Sequence, residues 1–441
     1  MPSDQSKGEK RLPTDIDLAI DSTALFAERL GANGIRREEV LALAPRLDGL
    51  HARLGAKSPD MAPAFFTLPF ATDSEAVAAH GRRLSRRFAR TCVFGIGGSS
   101  LGGEMLVRLL GRGAHPVRFY DNIDPTTLEE LDGSGWRDTL LLVVSKSGNT
   151  AETLSQLLTV LPQLERELGP DRLREQIVVI TEDASGALHE LARELRLEIL
   201  PHPAVGGSYS ALSVVGLLPA AIAGADIAAL LQGARTMAER CRERDMARNP
   251  AFFNGAAQFL HAQRGRRLCV QMVYADRLRP VSRWYRQLWA ESLGKRDAQG
   301  RAHGLTPIEA HGVTDQHSQL QLYLDGPDDK QFTFLVDPSL RARGARVPER
   351  FRALAAIAPL VGHTTGELFL AEFDATRETL TRHGRPNRTV SLAPANPAAI
   401  GELIMLLEME TVVMAELLGV DPFDQPAVEE GKVLAREYLK K

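Results

Sequence analysis

The sequence predicts an α/β fold with two lobes, each built on a parallel sheet covered by helices. From Arg83 onward, short apolar runs alternate with amphipathic segments, which is typical of strand–helix–strand units. The run from Thr139 to Val144 is apolar almost throughout, as expected for a strand buried on both faces of a parallel sheet. A second alternating set begins near Leu268 and indicates the second lobe.

The first 80 residues are expected to form a helical extension ahead of the lobes. Apolar side chains recur there at three- and four-residue spacing, in ALFAERLGA and EEVLALAPRLDGLHARLG. We expect the first lobe over residues 81–225, and the second lobe with the C-terminal helices over residues 226–441. The apolar segment 211–225 contains a proline and is too short to cross a bilayer, so we expect a helix in the core.

The same patterns predict the elements of each lobe in order. In the first lobe, strands are expected in CVFGIGG, PVRFYDN, TLLLVVS and QIVVITED, with helices in EMLVRLLG and ETLSQLLTVL. In the second lobe, strands are expected in RLCVQMVYA, QLQLYL and QFTFLVD, with a helix in VSRWYRQLWAESLG. The tail from Ala399 onward predicts a helix, a turn at GVDPFDQPA and a last helix with a basic end.

Composition favours a protein that acts on a small molecule in a reducing compartment. The chain has 441 residues, of which 44% are hydrophobic and 25% charged, with a formal net charge of −3. This balance gives no overall attraction to nucleic acid or to an anionic membrane. Cys92, Cys241 and Cys269 are too few and too far apart for a disulfide framework or a zinc site. The polar N-terminus shows no apolar signal segment, so we expect a cytoplasmic protein.

A loop rich in small polar residues follows the strand that ends near Val144. In SKSGNTAET, Asn149 and Glu152 have the spacing of a capping box, so the loop is expected to lead directly into a helix. Backbone N–H groups and the positive end of the helix dipole favour an anion there, and Lys146 adds charge. This chemistry suits a phosphate ester, although an ordinary strand-to-helix turn explains the same composition.

A second loop of this kind, GIGGSSLGG at residues 95–103, also follows a strand and opens a helix. Its glycines let a ligand approach the backbone closely. Asp121 follows the next strand, roughly 20 residues on, which leaves a dinucleotide site open. However, Ser100 occupies the place of the third glycine in G-x-G-x-x-G. We favour one phosphate pocket shared by both loops at the carboxyl edge of the sheet.

Glu291 is the candidate for proton abstraction. It shares one stripe of a predicted helix with Arg283, Gln287 and Lys295, which recur at intervals of four. Large apolar side chains around the stripe would desolvate the Glu291 carboxylate and raise its pKa toward a value useful for a general base. A surface ion pair between Glu291 and Lys295 is the simpler interpretation of the same spacing.

Two further side chains are candidates for chemistry. His317 follows a long polar and glycine-containing segment, and segments of that length inside a compact protein are more often functional than idle. Asp315 is the candidate partner that would orient its ring. Lys432 lies early in the terminal helix, where a solvated lysine is the simpler interpretation.

Four separated segments together resemble the glucose-6-phosphate isomerase family, which is built from sugar isomerase (SIS) domains. They are GIGGSSLGG, SKSGNTAET, QLWAESLGK with GVTDQHS, and FDQPAVEEGK. They stand in the family's order and cover most of the chain beyond residue 90. The resemblance implies two doubly wound α/β lobes of unequal size. It also implies reversible interconversion of an aldose 6-phosphate and its ketose, in glycolysis and gluconeogenesis.

The resemblance implies a role for each matching residue. Glu291 would move the proton between C1 and C2 through an enediolate, while His317 and Lys432 would assist ring opening. The residues implied to hold the phosphate and line the sugar are Ser145, Lys146, Ser147, Thr150, Gly98, Ser99, Gln287 and Gln425. No metal or organic cofactor is implied. A homodimer is implied, in which His317 reaches the neighbouring subunit's site.

Two positions depart from the family's pattern. In VGGSYSALS, Ser208 stands at a substrate-binding position where the family has an arginine after two glycines. One neutral donor would then replace a fixed charge that stabilises the enediolate. We expect an isomerase that is slow, or one in which Arg283 compensates. Asn149 replaces a hydroxyl residue of the phosphate loop and should preserve the turn.

Three other functions fit parts of the pattern. A non-catalytic sugar-phosphate sensor would explain Ser208, but binding alone requires no set of Glu291, His317 and Lys432. A nicotinamide dehydrogenase would need the third glycine that Ser100 replaces. A transaldolase would need a Schiff-base lysine in a barrel, and the strand pattern does not predict a barrel.

Overall fold

Two five-stranded sheets organise the chain. The computed structural model describes residues 17–55, 62–113, 115–129, 131, 135–182 and 186–440. The strands are β1 (Ala19–Asp21), β2 (Arg90–Phe94), β3 (Val117–Tyr120), β4 (Thr139–Val144), β5 (Ile177–Thr181), β6 (Glu198–Pro201), β7 (Leu268–Tyr274), β8 (Thr306–His311), β9 (Lys330–Val336) and β10 (Asn387–Ser391).

Helices cover both sheets. The α-helices are α1 (Ala27–Leu30), α2 (Arg37–Leu41), α3 (Ala44–Leu54), α4 (Ala64–Ala71), α5 (Ser74–Arg87), α6 (Leu101–Leu110), α7 (Pro125–Glu129), α8 (Ala151–Gln176), α9 (Ala187–Glu194), α10 (Val214–Ile222), α11 (Ile227–Cys241), α12 (Pro250–Gln263), α13 (Arg279–Leu293), α14 (Leu320–Asp325), α15 (Thr365–Arg382), α16 (Pro397–Leu418) and α17 (Glu429–Tyr438). Among the described residues, none of these is both long and apolar enough to cross a membrane.

The first sheet is parallel throughout and has the order β3-β2-β4-β5-β6. Every residue of β4 is buried, as its apolar run predicts. Side chains of α8 and α9 cover one face, and those of α5 and α10 cover the other. Strand β3 lies on one side of β2, and the next strand along the chain, β4, lies on its other side. The direction in which strands are added therefore reverses between β2 and β4. In open parallel sheets, a crevice for ligands forms at the carboxyl ends of the strands at such a reversal.

The second sheet has the order β1-β10-β9-β7-β8. Its strands β7 to β10 are parallel, and β1 pairs antiparallel with β10 at one edge. Helices α12, α13 and α16 lie in the large core on one face, and α14 and α15 cover the other. The chain therefore has the two doubly wound α/β lobes that the sequence predicts. Helix α13 leaves the carboxyl end of β7 and packs against α6 of the first lobe.

The strand predicted at QLQLYL is wrong, because this segment forms helix α14. Leucines at 320, 322 and 324 alternate with other residues and imitate the period of a strand. Leu322 is about half exposed, while Tyr323 is buried and its hydroxyl donates to Gln319, four residues earlier, at 2.6 Å. One buried tyrosine and a local hydrogen bond thus outweigh the apparent alternation.

The N-terminal segment is more than a helical extension. Helices α1 to α4 lie in it as predicted, but it also contributes β1 to the second sheet, where Ile20 pairs with Val390. The Glu402 carboxylate fixes the start of this strand by accepting from the Leu18 N–H at 3.0 Å. The boundary expected between residues 80 and 81 falls inside α5 and is wrong, since α5 packs on α10 of the first lobe.

The chain passes from the first lobe to the second near the other expected boundary, between residues 225 and 226. Helix α10 packs on α5 and α6, whereas α11 packs on α16 in the second lobe. The division at 225–226 falls between these helices and stays a prediction. Helix α10 is buried at nearly every position, which confirms the core helix expected within 211–225.

Candidate active site

The two loops singled out in the sequence lie side by side at the carboxyl edge of the first sheet. Phe94 of β2 pairs with Val143 of β4, so the loops that follow begin at the same level. A third segment packs against the loop after β2: a Cβ placed on Gly98 would lie 2.2 Å from the Gly207 carbonyl carbon. Only glycine permits this approach. The two loops therefore begin side by side at this edge, and a phosphate pocket shared by both stays a prediction.

The loop after β4 is held by its own hydroxyl groups. The Ser145 and Thr150 hydroxyls are 2.8 Å apart, and Ser147 accepts a hydrogen bond from the Asn149 N–H at 3.2 Å. Gly148 has a φ of +66°, a conformation that favours glycine. Lys146 lies 3.6 Å from Glu182 in a half-exposed ion pair. The arrangement presents small donors and one cation beside the start of α8.

The capping box expected from Asn149 and Glu152 is wrong. Helix α8 begins at Ala151, so its N-cap is Thr150. The Asn149 side chain instead accepts from the Ala187 N–H at 3.1 Å, at the first residue of α9. It therefore ties the loop to the next helix rather than capping its own.

Helix α13 places Glu291 beside the loop after β2. Gln287 donates from Nε2 to both carboxylate oxygens of Glu291, each at 3.2 Å. A Cβ on Gly97 would lie 3.0 Å from the same Nε2 atom. Desolvation by burial raises the pKa of Glu291, while the Gln287 hydrogen bonds and the charges of Lys295 and Lys432 oppose that effect. A carboxylate of this kind, held by one donor at a crevice, can act as a general base.

The ion pair between Glu291 and Lys295 does not form. Lys295 instead lies 3.0 Å from Asp424, in the turn that precedes α17. This contact closes one side of a cavity of about 760 Å³ that is lined by Glu291, Lys295 and Gln425 among others. The structure thus brings Gln425 to the same cavity as Glu291, across more than a hundred residues of sequence.

The structure does not bring His317 to this cavity. Its imidazole is exposed and makes no hydrogen bond or ion pair with the described residues. Asp315 does not orient it, so that expectation is wrong. The Asp315 carboxylate accepts instead from the His311 N–H and the Ser318 hydroxyl, both at 2.6 Å.

Lys432 lies on α17, where every described residue is exposed. Its ammonium group is 2.6 Å from Glu429, one helical turn earlier. Its charge still acts on Glu291 and lowers the pKa of that carboxyl. Lys432 therefore lies near the cavity without lining it in this conformation of the chain.

Ser208 is a buried residue at the wall of the crevice. Only 1% of it is exposed, and its hydroxyl has no hydrogen-bond partner among the described residues. The Trp284 indole N–H donates to its carbonyl at 3.2 Å, which places Ser208 against α13. Arg283, the expected substitute for the missing arginine, donates to the carboxylates of Glu104 and Asp121. These two partners neutralise it, so the expectation that Arg283 compensates is not supported.

Sequence reasoning missed the contacts that Lys295 and Tyr209 make. The Tyr209 hydroxyl lies 2.9 Å from the hydroxyl of Ser292, next to Glu291. Its ring packs on Phe423, ahead of Gln425. The aromatic character of Tyr209 and Phe423 was the one available signal, but spacing along the chain gave no reason to pair them.

Comparison with known proteins identifies the family. The sequence model of the family described as phosphoglucose isomerase matches residues 85–441, so the chain belongs to this family. The glucose-6-phosphate isomerase of Carboxydothermus hydrogenoformans is 42% identical over 83% of both chains. That of Rubrobacter xylanophilus is 41% identical over 94% of this chain and 96% of its own.

Solved structures agree on the fold. A Thermus thermophilus protein described as hypothetical superimposes with a TM-score of 0.84 at 34% identity, covering 96% of this chain and all of its own. A glucose-6-phosphate isomerase from Chlamydia trachomatis, at 20% identity, superimposes with a TM-score of 0.76. It covers 92% of this chain and 85% of its own, and it supports the fold alone.

Proposed function

We propose that this chain interconverts glucose 6-phosphate and fructose 6-phosphate through an enediolate, as a step of glycolysis and gluconeogenesis. The observation that carries the proposal is the Glu291 carboxylate, desolvated and held by Gln287, whose Nε2 atom lies against Gly97 of the loop after β2. Relatives that are 41% and 42% identical over most of their length are glucose-6-phosphate isomerases. The reaction needs one positioned base and a site for the phosphate ester; Glu291 is the proposed base, and the loop after β4 is the proposed phosphate site.

Each candidate site residue has a proposed role. Glu291 takes the proton from one of C1 and C2 and returns it to the other, while His317 and Lys432 serve ring opening. The proposed substrate-binding residues are Gly98, Ser99, Ser145, Lys146, Ser147, Thr150, Ser208, Gln287 and Gln425. Binding the remote phosphate orients the reacting carbons against the base, which converts binding energy into rate.

Turnover of fructose 6-phosphate, coupled to a glucose-6-phosphate dehydrogenase, tests this proposal directly. Ser208 favours one alternative, a protein that binds sugar phosphates without catalysis. That alternative predicts no turnover, with fructose 6-phosphate still protecting the chain against thermal unfolding by mass action. Measurable turnover of the purified chain excludes it.

Ser208→Arg should raise kcat. A fixed charge that stabilises an enediolate is expected to contribute roughly 100- to 1000-fold, by analogy with one oxyanion-hole donor. The matched control is Ser208→Ala, which changes the same buried position without adding a charge and should give no such gain in kcat; the Ser208 hydroxyl has no hydrogen-bond partner among the described residues. Steady-state kinetics of the three proteins, with melting curves to show that each is folded, decide the point. No gain in Ser208→Arg would mean that the site does not need the charge.

We also infer a homodimer in which each site is completed by His317 of the neighbouring subunit. The support is that His317 is exposed, has no partner among the described residues and lies outside the cavity of its own Glu291. A cytoplasmic location is consistent with Cys92, Cys241 and Cys269, which are all unpaired thiols.

Mixing two inactive variants tests the shared site. Neither Glu291→Gln nor His317→Ala should turn over substrate alone. A mixed dimer keeps one intact site, formed by Glu291 of one chain and His317 of the other. Random pairing should restore about a quarter of wild-type activity after co-expression or refolding together. If each chain supplied its own histidine, the mixture would stay inactive.

A further inference from the structure

The turn that joins α16 to α17, residues 419–428, is here named the C-terminal turn. It begins at Gly419, whose φ of +72° ends α16, and it brings Gln425 to the cavity of Glu291. Phe423 anchors it by packing against Tyr209, with ring centroids 5.3 Å apart. Because the described residues of α17 are all exposed, the position of Lys432 depends on this turn.

Lys295 is the second anchor of the C-terminal turn. Its side chain is only 8% exposed, and its ammonium group lies 3.0 Å from the Asp424 carboxylate. It also donates to the carbonyl oxygen of Asp421. Breaking these contacts would leave a charge that is largely removed from water, so they hold the turn more firmly than an exposed ion pair would.

The backbone of Lys295 is itself fixed. It lies two residues beyond the end of α13, and its carbonyl accepts from the His303 N–H at 2.7 Å. Between them, the Asp297 carboxylate accepts from the backbone N–H groups of Gln299 and Arg301, each at 2.9 Å. Lys295 therefore extends from a rigid hairpin that continues directly from the helix of Glu291.

We propose that Lys295 is a positioning residue for the isomerisation: it holds the C-terminal turn, and with it Gln425 and Lys432, at a fixed place relative to Glu291. This inference rests on the proposed function and adds a residue to it. Glu291 and Lys295 belong to one segment, so a movement of the turn away from the base would break the contacts with Asp421 and Asp424 in addition to the packing of Phe423.

The charge of Lys295 provides a second measurable effect besides the change in kcat: the pH dependence of kcat/KM. The titratable or charged groups that line the cavity or act on Glu291 are Lys295, Lys432, Arg296, His303, Asp421 and Asp424. Of these, Lys295 and Lys432 lower the pKa of Glu291 and so partly offset its desolvation. Removing the Lys295 charge should move the acid limb of the kcat/KM profile to higher pH.

The test compares Lys295→Met and Lys295→Arg with the control Arg296→Met. Arg296 lines the same cavity but donates to Gly300 rather than to the C-terminal turn. Lys295→Met should lower kcat roughly 10- to 100-fold, the scale of a misplacement of about 1 Å, and should shift the acid limb upward. Lys295→Arg should restore most of both, and Arg296→Met should leave the hydrogen exchange of residues 419–428 near wild type.

Hydrogen exchange of residues 419–428 separates this proposal from the proposed function. Faster exchange in Lys295→Met than in Arg296→Met supports the anchor even if the wild type shows no isomerase activity. Asp424→Asn alters an exposed side chain and keeps Lys295, so it should fold even if Lys295→Met does not. It should speed the exchange of residues 419–428 in the same way. Equal exchange in all variants, or a kcat and acid limb of Lys295→Met that match Arg296→Met, would overturn the inference.

Discussion

Glu291→Gln should abolish isomerisation while leaving the sugar phosphate bound. The substitution keeps the shape of the side chain and removes the base, and a positioned general base contributes roughly 100- to 10,000-fold to rate. Coupled turnover of fructose 6-phosphate measures the loss, and thermal protection by the same compound measures binding. The matched control is Glu309→Gln. The Glu309 carboxylate lies on β8 and pairs with Arg286 of α13, so this change should leave turnover near wild type.

The pH dependence of the wild type follows from the same carboxyl group. Desolvation raises the pKa of Glu291, and only the ionised form can accept a proton. Values of kcat/KM should therefore fall as the pH drops through this raised pKa, on a limb that begins above the usual range for a glutamate. An acid limb at the ordinary value, or residual turnover of Glu291→Gln above the expected range, would contradict the assignment of the base.

The raised pKa of Glu291 favours the reaction near neutral pH but lowers the stability of the folded chain there. A carboxyl whose pKa is raised by folding adds stability below its unfolded pKa, and that contribution is lost as the pH rises through the folded pKa. Ionised Glu291 is thus a cost to the folded chain near neutral pH. We expect Glu291→Gln to unfold at the same or a higher temperature than the wild type there, which melting curves at two pH values would show.

The sequence predicted those elements whose apolar residues recur with the period of a strand or a helix. The apolar run of β4 and the i, i+4 stripe of α13 each led to the correct element because burial of their own side chains decides the structure. Strand β1 carries no such signal. It is three residues long, and its stability comes from β10 and Glu402, more than 350 residues away.

The candidate site divides in the same way. Spacing along one helix correctly placed Gln287 next to Glu291, since residues four apart share a face. It could not show that Lys295 turns away to Asp424, or that Arg283 is occupied by two carboxylates from the first lobe. Those partners come from other elements, and only the packing of the lobes brings them together.

The last prediction concerns the buried ion pair that joins β10 to α16. Arg388 donates to both carboxylate oxygens of Glu410, at 2.5 and 2.7 Å, and neither side chain is more than 1% exposed. Arg388→Met would leave the Glu410 carboxylate buried, with Gln258 at 3.2 Å as its remaining side-chain donor among the described residues. We expect this to lower the free energy of unfolding by about 3–5 kcal/mol, measured by urea denaturation.

The double variant Arg388→Met with Glu410→Leu shows whether the pair itself stabilises the fold. Replacing both partners removes the unpaired charge and restores apolar packing, so the double variant should be close to wild type or more stable, by about 1–4 kcal/mol. Helix α16 leads directly into the turn that carries Gln425, so Arg388→Met should also reduce turnover at temperatures where the double variant retains it. A double variant as unstable as Arg388→Met would mean that the ion pair stabilises the fold more than apolar side chains do in its place.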